Sequence, residues 1–304
     1  MLNLDSTLAP ILQRVPQFAS AREISAAELS GGITNKNYKV IADGEAYVLR
    51  IGGDETRYLG IDRKVEYGCT LAASRVGVAP EPVAFLEPEG YLVTRFISGP
   101  GIPADQIGTE ANIRRVVESL KRYHALDHFP GSFSPFRVAE EYEKTARRFN
   151  VNLPDKMAGY LEKAHEIERA MYRAPFTPRP CHNDLLNANF IDDGTSIRIL
   201  DWEYAGMGDI FFDLGNFAVQ HEFNAEQDEI LLRVYFGEPT AAHRARLKLM
   251  KIMSDLREAM WGMVQVGVSK LDFDYAGYAR KYFDRFEAAI RQDEYSRWLK
   301  ELAQ

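Results

Sequence analysis

Alternating apolar and polar positions give the first readable pattern in this chain. Asn37-Tyr38-Lys39-Val40-Ile41 and Ala46-Tyr47-Val48-Leu49-Arg50-Ile51 both alternate, and Asp43-Gly44 between them is a hairpin signal. Upstream, residues 6–17 carry a weak helical pattern expected to stop around Pro16. Glu28-Leu29 then leads into the Gly-rich run Ser30-Gly31-Gly32-Ile33-Thr34-Asn35. Over 62–76 the spacing turns helical, with Val65, Cys69 and Ala72-Ala73 near one face, and Gly77 ends it. Val83-Ala84-Phe85 and Tyr91-Leu92-Val93-Thr94-Arg95-Phe96 predict two more strands around a Pro/Gly turn. Ser98-Gly99-Pro100-Gly101-Ile102-Pro103 is the densest Pro/Gly stretch and a natural lobe boundary.

Past that boundary the period is helical. Residues 112–126, 139–149 and 156–172 are amphipathic. A short β-like interruption follows: Asn189-Phe190-Ile191, the turn Asp192-Asp193-Gly194, then Ile197-Arg198-Ile199-Leu200. Helical pattern returns from residue 213 to the end. The order predicts a small sheet region with one inserted helix, a linker, and a larger helical region.

Composition narrows the partners. The 304 residues carry a formal net charge of −7, and no dense Lys/Arg run occurs, so nucleic acid is not an expected partner. No stretch is apolar enough to span a membrane, and residues 1–20 lack the apolar core of a secretory signal. Two cysteines, Cys69 and Cys181, fit a reducing cytoplasm.

The candidate chemistry sits in His182-Asn183-Asp184-Leu185-Leu186-Asn187-Ala188-Asn189, followed by Asp201 twelve residues after Asn189. This is the spacing His-x-Asp-x-x-x-x-Asn of a kinase catalytic loop, with Asp201-Trp202-Glu203 in the place of Asp-Phe-Gly. Phosphoryl transfer from ATP needs a carboxylate near the attacking hydroxyl and hard oxygen ligands for Mg²⁺. Asp184 suits the first task, Asn189 and Asp201 the second. Asn and Asp also favour loops for conformational reasons alone, the alternative reading of any one of them. Glycines in 30–35 let backbone amides approach phosphate oxygens, and Arg50 offers a bidentate fork to the same oxygens. Glu66 on the inserted helix is a candidate partner for Arg50, with Asp62 as its rival. His124, on a helix, reads as a structural histidine, and Cys181 as a packing residue. Walker A and Gly-x-Ser-x-Gly motifs are absent.

These residues resemble the choline/ethanolamine kinase family, within the aminoglycoside-phosphotransferase-like kinases. Leu29-Ser30-Gly31-Gly32-Ile33-Thr34-Asn35, Tyr47-Val48-Leu49-Arg50-Ile51, Asp201-Trp202-Glu203-Tyr204 and Trp261-Gly262-Met263-Val264-Gln265 carry the resemblance, with Phe212-Asp213-Leu214-Gly215-Asn216 between the last two. It implies an α+β, two-lobed protein-kinase-like fold, with a nucleotide-binding lobe over 1–97 and a helical catalytic lobe over 98–304. It implies ATP and Mg²⁺ in the cleft and a small amino alcohol as acceptor. By the same resemblance, Asp184 is the catalytic base and Arg50 the phosphate-binding cation. Ser30, Gly31, Gly32, Thr34, Asn35 and Glu66 belong to the nucleotide side, and Phe96 and Ile97 to the adenine hinge. Asp213 braces the catalytic loop. Glu203, Trp261, Tyr275 and Tyr278 join Asp184 on the acceptor side, the three aromatics as a cage for a cation; each also reads as ordinary core packing. Where animal choline kinases place a further cage tryptophan, this chain has Glu258. That substitution leaves choline, ethanolamine and other amino alcohols open. An aminoglycoside, thiamine or sugar acceptor, or a catalytically silent nucleotide-binding protein, are the rival readings.

Overall fold

The computed structural model describes residues 8–29 and 35–303. Two short helices, α1 (Ala9–Leu12) and α2 (Pro16–Ala19), lead the described chain. Pro16 does not end a helix as expected; it opens α2. Its fixed φ suits the first helical turn, where no N–H is needed. Leu12, Val15 and Phe18 pack onto the sheet behind them, with the Phe18 ring edge-on to Tyr47 at 5.1 Å.

That sheet has five antiparallel strands: β1 (Ile24–Leu29), β2 (Asn35–Ala42), β3 (Glu45–Gly52), β4 (Pro82–Leu86) and β5 (Tyr91–Arg95), in the order β1-β2-β3-β5-β4. Asp43 and Gly44 both adopt positive φ, 48° and 86°. A two-residue hairpin whose turn matches the strand twist requires this. Register sets Arg50 opposite Asn37 on one side and Leu92 on the other, near the middle of the sheet. Between β3 and β4 lie a 3-10 turn (Asp54–Leu59) and α3 (Arg63–Arg75). Asp62 caps α3, accepting from the amides of Lys64 and Val65, so it is spent at the helix N-terminus.

The rest is mainly helical. In chain order come α4 (Glu110–His124), α5 (Pro135–Arg148), α6 (Met157–Met171), β6 (Arg179–Cys181), β7 (Phe190–Asp192), β8 (Ile197–Ile199), β9 (Gly206–Gly208), α7 (Ile210–Gln220), α8 (Ala225–Phe236), α9 (Ala241–Val268), α10 (Tyr275–Ile290) and α11 (Asp293–Glu301). Helix α5 begins four residues before its expected start, because Ser134 caps it and Pro135 occupies the first turn.

Helix α9 is the axis of this half. It runs 28 residues and packs against α5, α7 and α10. From Leu247 to Gln265 it is buried on nearly all faces, and truncating Leu256 or Met253 there to Ala is worth about 2–5 kcal/mol. Asp255, Arg257 and Glu258 interrupt that apolar run and are buried with it. None of the helices is long and apolar enough to cross a membrane, among the described residues.

Two apolar clusters result. One joins α1 and α2 to the sheet; the other fills the helical half and takes in Cys69 and Ala73 of α3. Helix α3 therefore reaches from the sheet into the helical half.

Candidate active site

The segment between β6 and β8 holds Asp184 and Asn189, Asp201 follows β8, and Arg50 comes from β3. Strand β6 pairs with β9, bringing Cys181 opposite Gly206, and β7 pairs with β8. The amide of Leu200 donates to the Asn189 carbonyl at 2.8 Å. Asn189 and Asp201 therefore share one end of the hairpin, as their spacing implied. Asn183 and Asp201 both take positive φ, 69° and 61°, a conformation that Asn and Asp tolerate better than most residues and that turns the chain sharply at each point.

Asp213 holds this loop. Its Oδ1 accepts from the Asn183 amide at 2.6 Å, and its Oδ2 from the His182 amide at 2.9 Å and from Tyr123 Oη at 2.6 Å. His124 Nε2 lies 3.0 Å from Oδ2. Although Asp213 is fully buried, its carboxyl sits below the ordinary range, because the bonds from His124 and Tyr123 and the nearby His182 ring outweigh the cost of burial. His124 is thus the structural histidine expected. With the Cys181 thiol it forms a cluster of buried metal-ligand types around Asp213, but the four donors already crowding that carboxylate make it a brace. His182 Nε2 meets the Leu200 carbonyl at 2.8 Å, and its Nδ1 accepts from the Asp184 amide at 3.2 Å. Burial lowers its pKa, consistent with a neutral ring in that tautomer.

Asp184 is 8% exposed, and burial raises its carboxyl well above the ordinary range. The Asn189 amide nitrogen donates to the Asp184 carbonyl at 2.9 Å, which leaves its side-chain oxygen for another partner. Asp201 keeps about a third of its side chain exposed, 32%, and its Oδ1 accepts from Arg50 Nη1 at 2.6 Å.

Arg50 starts a chain of alternating charge. It pairs with Glu66, so the choice between Glu66 and Asp62 falls to Glu66. Arg63 Nη1 then contacts Glu66 at 2.7 Å and Glu203 at 3.2 Å, and its Nη2 donates to Asn35 at 2.8 Å. Asn35 in turn donates to Glu203 at 3.0 Å. Glu203, expected on the acceptor side, is thus tied to the sheet and α3 through Arg63 and Asn35. Burial, with Asp201 nearby, raises its carboxyl. Arg63 was not singled out from the sequence, since its partners come from three separate segments.

Beside this chain opens a cleft of about 320 Å³. Leu29, Val48, Leu92, Phe96 and Ile97 line its sheet side; Asn189, Ile191, Leu200 and Asp201 line the other, with Arg50 between. An apolar slot ending in a cation and two oxygen-bearing side chains suits a flat base with a phosphate tail. Phe96 and Ile97, expected at the adenine hinge, line this cleft. Ser30, Gly31, Gly32 and Thr34 lie outside the described residues, between Leu29 and Asn35.

The expected aromatic group assembles around Trp261. Trp261 lies edge-on to Tyr275 at 5.9 Å and to Tyr278 at 5.5 Å between centroids. Its Nε1 donates to Tyr204 Oη at 3.2 Å. Glu258 Oε2 accepts from Tyr278 Oη at 2.7 Å. Two residues here were not foreseen, Tyr204 and Arg257. Arg257 Nη1 is 3.3 Å from Asp184 Oδ1 and 2.5 Å from Glu258 Oε1, and the guanidinium lies over the Tyr204 ring at 4.4 Å.

Comparison with known proteins identifies the family. The model of the APH phosphotransferase enzyme family matches residues 25–249. Protein LicA of Haemophilus influenzae is 26% identical over 260 residues, covering 81% of this chain and 75% of LicA. A crystal structure of a choline/ethanolamine kinase family protein from Mesorhizobium loti superposes with a TM-score of 0.82 at 33% identity, covering 96% of this chain and 97% of that one. The chain belongs to the choline/ethanolamine kinase family. It is accordingly a phosphotransferase with an alcohol group as acceptor. A structure of LicA in complex with AMP shares the fold, with a TM-score of 0.76 at 21% identity over 92% of this chain and 96% of that one. The two-lobed, kinase-like α+β architecture expected from the motifs is borne out.

Proposed function

We propose that the protein transfers the γ-phosphoryl group of ATP to the hydroxyl of a small amino alcohol of the choline and ethanolamine class. One observation carries this reading. Asp184 is linked to two differently built sites: its carbonyl accepts from Asn189, which lines the cleft with Arg50 and Asp201, and its carboxylate meets Arg257, which also holds Glu258 of the group with Trp261, Tyr275 and Tyr278. A hydroxyl held at Asp184 faces both.

In this reading Asp184 accepts the acceptor's hydroxyl proton. The oxygen forms a bond to the γ-phosphorus, the bond from phosphorus to the bridging oxygen of ADP breaks, and ADP leaves with that electron pair. Arg50, fixed by Glu66 and Asp201, binds phosphate oxygens. The nucleotide lobe, 1–97, supplies Phe96 and Ile97 to the base, and the helical lobe, 98–304, supplies the acceptor site. The donor set of Asn189 and Asp201, two hard oxygens at the phosphate end of the cleft, fits Mg²⁺. When bound, the ion neutralises phosphate charge. The aromatic group suits a cation face-on, and Glu258 suits one that can donate hydrogen bonds. Two free, buried thiols support a cytoplasmic setting.

An acceptor panel tests the proposal: choline, ethanolamine, 3-aminopropanol, an aminoglycoside and thiamine, with ATP and Mg²⁺, read by ADP release. Amino alcohols are expected to be turned over and Asp184→Asn to abolish it. Folded protein that phosphorylates none of the amino alcohols refutes the reading.

A further inference from the structure

Arg257 has no counterpart in the expectations above, and its surroundings constrain the acceptor. It sits on α9, 2% exposed. One nitrogen, Nη1, reaches both acidic groups of the acceptor side, Asp184 and Glu258, and Tyr204 covers a face of the guanidinium. The protein has thus installed its own cation against two carboxylates and an aromatic ring, the surroundings an acceptor's ammonium would need. A simple cationic acceptor must share those carboxylates with a fixed positive charge, and like charges close together in a buried site repel strongly.

A second observation is independent of the first. Nε and Nη2 of Arg257 are buried and have no hydrogen-bond partner. Buried donors are seldom left unmade, least of all on a charged group. These two nitrogens form one edge of the guanidinium, a planar fork whose spacing matches the two oxygens of a carboxylate.

We propose that the preferred acceptor carries a carboxylate beside its amine and hydroxyl, and that Arg257 is the residue that selects it. The acceptor class is then a small hydroxy-amino acid. Its hydroxyl lies at Asp184, its ammonium at Glu258 among the aromatic rings, and its carboxylate on the free edge of Arg257. This inference rests on the phosphotransfer reading and narrows its substrate.

Matched pairs differing only in the carboxylate test it: L-serine against ethanolamine, and L-homoserine against 3-aminopropanol. Initial rates of ADP release with ATP and Mg²⁺ give kcat/KM, and ³¹P NMR identifies the phosphate ester. The wild-type enzyme is expected to favour the carboxylated member of at least one pair by roughly tenfold or more. Arg257→Met should shift that ratio toward the plain amino alcohol by on the order of a hundredfold, the value of a lost charged hydrogen-bonded pair. Arg257→Lys keeps the charge without the fork and should fall between. Wild-type preference for the plain amino alcohol in both pairs overturns the inference, and needs no variant to be folded. Equal loss on both members in a folded Arg257→Met also overturns it, because Arg257 would then serve the transferred phosphoryl group or the fold. Turnover of ethanolamine or 3-aminopropanol without their carboxylated partners sinks this inference alone. Turnover of no acceptor sinks the phosphotransfer reading as well.

Discussion

Replacing Asp213 by Asn keeps the shape of the side chain and removes its charge. The two carboxylate oxygens serve different donors: Oδ1 takes the Asn183 amide, and Oδ2 takes the His182 amide, Tyr123 and His124. An amide has one oxygen and one NH₂. Whichever way it turns, at least one backbone N–H of the catalytic loop faces another donor. The better orientation keeps oxygen toward Oδ2's three donors and leaves the Asn183 amide unpaired, at about 1–3 kcal/mol for one buried unmet donor. The remaining bonds weaken from charged to neutral strength, about 1 kcal/mol each. Relief of the buried charge offsets part of this, so the net loss is about 4 kcal/mol.

Such a loss lowers the melting temperature by roughly 10 °C for a lobe of this size. Activity should fall further than stability alone requires. Asp184 follows the two braced amides directly, and a shift of about 1 Å at a reacting group costs on the order of a hundredfold. Thermal melts and initial rates on one preparation, at a temperature where the variant is folded, separate the two effects. Asp184→Asn is the control, expected to lose turnover without losing the brace. The reasoning is falsified if Asp213→Asn melts within about 2 °C of wild type and keeps its rate within a few-fold.

Three further outcomes are expected. In Gly215→Ala, a Cβ would stand 2.8 Å from the Met250 carbonyl carbon and 2.9 Å from the Lys251 nitrogen, so α7 must move off α9; a loss of at least about 2 kcal/mol in urea melts is expected, and an unchanged midpoint would count against that contact. Glu66→Gln strips a buried carboxylate from both Arg50 and Arg63 and should cut kcat/KM for ATP by roughly tenfold or more, measured at saturating acceptor, while an unaltered value would detach this pair from nucleotide binding. His221 donates from Nδ1 to the Phe217 carbonyl at 2.7 Å, and burial lowers its pKa to about 4. An unfolded histidine titrates near 6.5, so the unfolded state binds the proton first. Stability from the neutral ring is present above about pH 6.5 and is lost as pH falls toward 4, by about 3 kcal/mol at most. The stability gap between wild type and His221→Gln should therefore shrink between about pH 7.5 and about pH 4.5; a constant gap refutes the assignment.

What the sequence disclosed and what it withheld divide along a physical line. Asp43-Gly44 announced its hairpin because positive φ at two adjacent residues is a local demand. Asn189 and Asp201 were legible for a related reason: they flank a hairpin of fixed length, so their spacing is their geometry, and His182 and Asp184 stand a few residues before it. The β6–β9 pair was not, since three-residue strands of Arg-Pro-Cys and Gly-Met-Gly have no alternation to read and are defined only by each other. Arg63 was equally silent. Its role is written in Asn35, Glu66 and Glu203, which no local pattern connects.

Arg257 is the more instructive omission, because a signal existed. From Leu247 to Gln265 the helix α9 is buried almost all round, and charged residues have no place in such a run unless something holds them. Glu258 was noticed only because other kinases carry tryptophan there. Its neighbour breaks the same pattern more severely, since an arginine brings five donors to satisfy and cannot shed its charge. Three of its contacts are now accounted for: Asp184, Glu258 and the face of Tyr204. Its other edge, Nε and Nη2, has no hydrogen-bond partner, and under the proposal above that edge beside Asp184 is a demand on the ligand. On that proposal a two-carbon amino alcohol leaves the edge unmet, and the same molecule with a carboxylate meets it.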